Sequence, residues 1–127
     1  MKNNEDKKIT LKFKSENLNP EYISSLTKLK PSKYAKKNDR YKIGKMEGIH
    51  DCGFWEIKLS SVDDVFKYFG AIIPKLKEEF KDLKIKLWLA IIDNSGQANF
   101  AFKPEILKNL GELGIHLWIS CYYGYDK

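Results

Sequence analysis

Cysteine is scarce in this sequence: Cys52 and Cys121 are the only two among 127 residues. That excludes a disulfide framework and makes a reducing, cytoplasmic setting the expectation. Arginine is scarcer still, with Arg40 alone against 22 lysines, so the guanidinium forks that grip phosphates and guanine edges are almost wholly missing. No apolar run approaches the roughly 20 residues of a membrane-spanning helix. The opening Met1-Lys2-Asn3-Asn4-Glu5-Asp6 has none of the apolar stretch of a secretory signal. Glycine-rich phosphate loops, nucleophile elbows and kinase-type signatures do not occur. Histidine appears only as His50 and His116, and neither C-x-x-C nor H-x-x-x-H spacing is present. No metal and no cofactor are therefore expected.

What is present suits a folded domain. Hydrophobic residues make up 43% and charged residues 31%, close to globular norms and far from those of disordered chains. A chain of this length buries roughly two-thirds of its unfolded surface, enough for an unaided core. Residues 1–8 are polar and read as a disordered lead-in, leaving 9–127 as one domain.

Charge is unevenly spread. The first 50 residues hold 13 basic against 6 acidic side chains, a balance of +7, and residues 51–127 hold 10 against 11, a balance of −1. The basic character peaks between Lys28 and Lys45, where Lys33, Lys36, Lys37 and Arg40 are interleaved with Tyr34 and Tyr41. Such a segment can engage phosphates by counterion release or steer an acidic protein surface. Lysine-heavy loops also simply keep proteins soluble.

Period-two alternation marks strands at Ile9, Leu11, Phe13, at Trp55, Ile57, Leu59, at Ile85, Leu87, Leu89, Ile91 and at Ile115, Leu117, Ile119, Cys121. Cys121 thereby falls on the core face. Asn19-Pro20-Glu21 reads as cap, first-turn proline and acid of a short helix, followed by a short strand within Ser32–Ala35. Gly44, Gly48 and Gly53 mark residues 37–53 as a loop. Ser61 with Asp64 is an acidic variant of the capping box, and Pro74 demands a kink or break near Gly70–Ile73. Asp93-Asn94-Ser95-Gly96 reads as a hairpin turn leading to a strand with Phe100 and Phe102. Pro104 opens a helix that Gly114 ends. The segment from Pro20 to Leu29 echoes that from Pro104 to Leu113, with proline, glutamate and two leucines coinciding. The pattern as a whole implies an α+β sandwich of a mainly antiparallel sheet with packed helices, and the echo suggests a pseudo-duplicated, ferredoxin-like arrangement.

His50-Asp51-Cys52 is the one place where nucleophile and base types crowd together, and a small cysteine-dependent enzyme is the chemistry they would serve. No other catalytic residue suggests itself. The opposite face of the sheet is more informative. If the Ile/Leu positions pack on helices, the other face presents Lys12, Lys14, Glu56, Lys58, Lys84, Lys86, Trp88, His116, Trp118, Ser120 and Tyr122. Aromatics on a lysine-dotted face suit protein docking or base stacking. The alternative is that Trp88 and Trp118 are cross-strand neighbours covered by the chain itself.

Several of these stretches resemble an uncharacterised bacterial family, the domain of unknown function 4279. They are the opening strand, Leu18-Asn19-Pro20-Glu21, Leu29-Lys30-Pro31-Ser32, the Phe54-Trp55 strand, and Phe102-Lys103-Pro104-Glu105-Ile106-Leu107 with Leu110-Gly111-Glu112-Leu113-Gly114. Lys103 replaces a serine cap, and Lys36-Lys37-Asn38-Asp39 replaces a glycine-containing turn. The resembling motifs are caps, turns and core positions, so the resemblance implies a fold and no catalytic residue. Small bacterial domains of this kind often act as accessory or immunity-type binding proteins.

The expectation is therefore a non-catalytic binding domain. It would contact another protein, preferably an acidic one, through Lys33, Tyr34, Lys36, Lys37, Arg40, Tyr41, Lys86, Trp88, Trp118 and Tyr122. Single-stranded nucleic acid on the aromatic face is the first alternative and a cysteine-dependent enzyme the second; no membrane partner is expected.

Overall fold

A computed structural model describes residues 5–93 and 101–122 of the protein. In chain order the elements are β1 (Glu5–Ser15), α1 (Pro20–Thr27), β2 (Lys33–Ala35), β3 (Arg40–Ile43), β4 (Met46–Ile49) and β5 (Gly53–Leu59), then α2 (Asp63–Phe69), α3 (Ile72–Glu79), β6 (Lys84–Asp93), α4 (Pro104–Glu112) and β7 (Ile115–Tyr122). The fold is α+β. Strands β2, β5, β1, β6 and β7 form one sheet in that order, and β3 pairs with β4 in a separate hairpin. All pairings are antiparallel except β6 with β7, which run parallel across the α4 crossover.

Central strand β1 sets the two faces. Leu11 and Phe13 point one way and are wholly buried, and their strand partners Ile57, Trp55, Leu87 and Ile85 lie beside them. Ile23 of α1, Val65 and Phe69 of α2, Ile73 and Leu76 of α3, and Leu110 of α4 complete the same core cluster. All four helices therefore cover one face. Trp55, Phe13 and Phe69 meet edge-on or tilted, with ring centroids 5.5–6.0 Å apart, and the Trp55 indole N–H donates to Ser24 Oγ at 2.9 Å. A buried indole finds the polar partner it needs in that bond.

Local signals mostly operate as read. Asn19 Oδ1 accepts the Glu21 N–H at 3.1 Å ahead of Pro20 in the first turn of α1. Asp64 reaches back to the backbone N–H groups of Ser60 and Ser61. The chain breaks between α2 and α3, and Pro74 falls in the first turn of α3, where its missing N–H costs no helical bond. Gly114 follows α4 at φ +68°.

Five expectations need correction. The lead-in does not extend to residue 8, because β1 starts at Glu5 and pairs as far as Asp93 on the long β6; polar residues pair readily when a neighbouring strand is long enough. The duplicated ferredoxin-like order is not formed. α1 is followed by the edge strand β2, which is not a neighbour of β1, and β1 pairs antiparallel with β5, whereas β6 and β7, which flank α4, are parallel neighbours. The chain returns from α1 through β2 and the β3–β4 hairpin, while only Leu113 and Gly114 join α4 to β7.

Residues 37–53 are not merely a loop, since they carry the hairpin. Gly44 takes φ +60° at its turn, as two-residue hairpin loops require. Gly48 lies opposite Tyr41, and a Cβ there would come within 2.4 Å of the Tyr41 ring; these glycines shape strands instead of ending them. Cys121 is exposed, because β7 is an edge strand and burial falls off along it from Ile115. Phe102 lies in irregular chain before α4, partly buried against the core, not in a strand; Asn94 to Phe100 lie outside the described residues.

Asp82 ties the end of β1 to the turn before β6. It accepts the Ser15 hydroxyl at 2.5 Å and the Glu16 N–H at 2.9 Å, which hold its carboxyl below the usual value of 3.8. The folded-state pKa is thus lower than that of the unfolded chain. The stabilisation is complete above the ordinary value and disappears as pH falls through the depressed one. Urea midpoints should show Asp82→Asn less stable than wild type at neutral pH, and the two curves should converge from about pH 4 downward. Phe69→Ala should cost ~3–5 kcal/mol in the same assay, because it opens a cavity between Phe13 and Trp55.

Candidate functional site

On the face away from the helices, strand register places side chains in cross-strand rows. One row runs Lys33, Glu56, Lys12, Lys86, His116; the next towards β7's far end runs Lys58, Thr10, Trp88, Trp118; another on the other side runs Ala35, Phe54, Lys14, Lys84. Partners in register share a face because side chains alternate along a strand. Trp88 and Trp118 are exposed, at 37% and 55%, and Tyr122 is exposed at 49%. Among the described residues no helix covers these rings.

The lysines of this face are arranged against their own electrostatics. Lys12 sits directly across from Lys86, and Lys14 directly across from Lys84, whereas like charges opposite one another destabilise a sheet. Burial pulls the Lys12 amine below its ordinary pKa; Glu56 opposes the shift, and Lys14, Lys86 and Lys33 reinforce it. Among the described residues none of Lys12, Lys14, Lys84 and Lys86 is in a salt bridge. Instead, Lys86 Nζ lies 4.2 Å from the Trp118 ring centroid and 5.6 Å from that of Trp88, and Lys12 Nζ lies 4.6 Å from that of Phe54. Cation–π contact partly replaces the missing carboxylates. Lys12, Lys14, Lys84, Lys86, His116 and Trp118 line a groove of about 400 Å3. The Trp88 indole N–H donates to Ser120 Oγ at 3.0 Å, which fixes the ring against β7.

The residues singled out in the sequence divide. Lys33, Lys86, Trp88, Trp118 and Tyr122 share the open face. Tyr41 joins its margin through a ring chain, with Tyr41 4.9 Å from His50 and His50 5.4 Å from Phe54. Tyr34 stands apart: it pairs with Trp55, on the helix-covered face, and lies at the margin beside Pro20 and Glu21 of α1. Lys36 and Lys37 are already paired, with Glu21 at 3.8 Å and Glu16 at 2.5 Å. Arg40 opens the hairpin opposite Ile49. Lys28, Lys30, Lys33, Arg40 and Lys45 of the basic segment, like the sheet lysines, are in no salt bridge among the described residues.

The sequence reading missed Phe54 as part of this face's aromatic set and missed Ile43, Met46 and Ile49, which are exposed on the hairpin. Alternation around Gly44 was the available signal. His50 and Cys52 do not form an activated pair: His50 packs between two rings, and burial, followed by the charge of Asp51, pushes the Cys52 thiol pKa up. Among the described residues no three histidine, cysteine, aspartate or glutamate side chains converge to hold a metal ion. No helix there is long and apolar enough to cross a membrane.

These features define an α+β domain with helices on one sheet face and a lysine–aromatic groove on the other. Residues 5–124 match the family model described as Domain of unknown function (DUF4279), so the chain belongs to that family. No curated protein and no solved structure matches it.

The three tryptophans differ enough in exposure to be resolved in solution. Acrylamide should quench Trp88 and Trp118 strongly and leave Trp55 protected. Trp55→Phe should therefore abolish the quench-resistant fluorescence component, and Trp88→Phe with Trp118→Phe should leave it alone.

Proposed function

We propose that this protein is a non-catalytic cytoplasmic binding domain whose open sheet face receives an acidic surface of another protein. The supporting observation is the pair of like-charged cross-strand contacts, Lys12 with Lys86 and Lys14 with Lys84, beside two exposed indoles. A fold keeps a locally unfavourable arrangement where something else needs it. Carboxylates entering the groove would relieve the repulsion, and Trp88, Trp118 and Tyr122 would supply apolar contact area around them. Lys33, Arg40 and Tyr41 extend the positive and aromatic margin towards the hairpin. A small bacterial domain that caps an acidic partner in this way would serve as an accessory or immunity-type protein.

The same lysines and rings could serve single-stranded nucleic acid, but Lys86 favours the protein reading. Its ammonium lies over both indoles, so a base stacking on either ring must displace it, while a carboxylate can bind it in place. The lone arginine points the same way. Cysteine chemistry has less support, because a thiol with a raised pKa is a poor nucleophile at neutral pH.

Tryptophan fluorescence at low salt tests the reading, with poly-L-glutamate and oligo(dT) as probes. Poly-L-glutamate should shift the emission of Trp88 and Trp118, and Lys86→Glu should weaken its binding about tenfold, near 1.4 kcal/mol. Failure of poly-L-glutamate to perturb either indole would overturn the proposal, as would tighter binding of oligo(dT) by wild type.

A further inference from the structure

The sheet ends in two very different edges. On one side β2 is three residues long and carries Lys33. On the other side β7 runs eight residues, Ile-His-Leu-Trp-Ile-Ser-Cys-Tyr, pairs among the described residues only with β6, and contains no lysine, arginine, aspartate, glutamate or proline. Each of the other six strands carries at least one formally charged residue. Natural sheets guard long edges with charge, proline or bulges to stop further pairing, and β7 has no charge or proline to do so. Its side chains add to the exposure: Trp118 and Tyr122 stand out on the open face and Ile119 on the helix-covered face, with Leu107 exposed on α4, the helix packed on β7.

We infer that β7 pairs antiparallel with β7 of a second copy of this chain, joining two five-stranded sheets into one of ten. Charge identifies the occupant. The chain carries +6, so a copy of itself approaches against a net repulsion, and the one described strand without formal charge is where a like-charged molecule can come close. The geometry is self-complementary. A two-fold axis normal to the sheet keeps each face continuous and pairs residues of equal parity, so it passes at Trp118 or at Ile119. Both registers enclose Trp118 and Ile119. Strand β6 of one copy then lies three strand spacings, about 14 Å, from β6 of the other. That exceeds the Debye length of about 8 Å at physiological salt, so Lys84 and Lys86 on the two copies are largely screened from each other. The joined sheet would set two lysine–aromatic grooves side by side, although the pairing stands whether or not those grooves bind an acidic protein.

Sedimentation equilibrium of the full chain, from micromolar to millimolar, should show a reversible monomer–dimer equilibrium. Ile119→Lys, at a position already exposed, should raise the dimer dissociation constant about tenfold or more with an unchanged circular dichroism spectrum. Ile43→Lys, an equally polar change on the exposed hairpin, should leave the constant unaltered. Amide exchange of the wild-type chain supplies a measurement independent of any variant, since β7 amides should become more protected as concentration rises. A monomer at every concentration, assembly beyond the dimer, a dimer broken by Ile43→Lys and not by Ile119→Lys, or β7 protection independent of concentration would each overturn the inference.

Discussion

Everything in this fold depends on the alternation of one strand. β1 lies at the centre of the sheet, and its successive residues Leu11, Lys12, Phe13 and Lys14 send apolar groups to one side and ammonium groups to the other. The apolar side recruits Trp55, Ile57, Ile85 and Leu87 from its neighbours and all four helices above them. The ammonium side can accept no helix, because covering Lys12, Lys14, Lys84 and Lys86 would desolvate four charges with too few partners. A shift of one residue in register would exchange the two sets and destroy the core. The hydrophobic core and the exposed groove are therefore two consequences of one register.

The groove gathers the sheet's least favourable cross-strand contacts. Two like-charged pairs meet across the same strand boundary, and the only acidic side chain within their rows is Glu56. Lys36, Lys37 and the hairpin strand's Lys42 are by contrast each paired with a glutamate. Exposed pairs of that kind contribute little energy, but they neutralise their surroundings. Positive charge in the groove lies directly beside the exposed rings of Trp118 and Trp88.

Much of this was legible in the sequence because it follows from period two. The faces of β1, β5, β6 and β7 read directly from Leu11/Lys12, Trp55/Glu56, Leu87/Lys86 and Leu117/Trp118, and the outward tryptophans with them. Helix caps such as Asn19 are local and read equally well. Strand order is not local: nothing in the Pro20 and Pro104 helices discloses that one leads to an edge strand that is not a neighbour of β1 and the other to a parallel neighbour of β6. Charge pairing was equally hidden, since Glu16 and Glu21 reach Lys37 and Lys36 only after folding. Cys121 shows the same limit, because alternation assigns a face but not how far the helices cover it.

The hairpin shows how a weak element can be held in place. Two-stranded ribbons are marginal alone, and β3–β4 has the backbone bonds between Asn38, Asp39 and His50 to tie its base. Beyond them its link to the sheet is the ring sequence Tyr41, His50, Phe54, which ends against Lys12. Tyr41 can lie flat on the hairpin only because Gly48 offers no Cβ beneath it. The exposed Ile43 and Met46 at the hairpin tip stand clear of the core, and packed rings, not core side chains, hold the hairpin beside the open face.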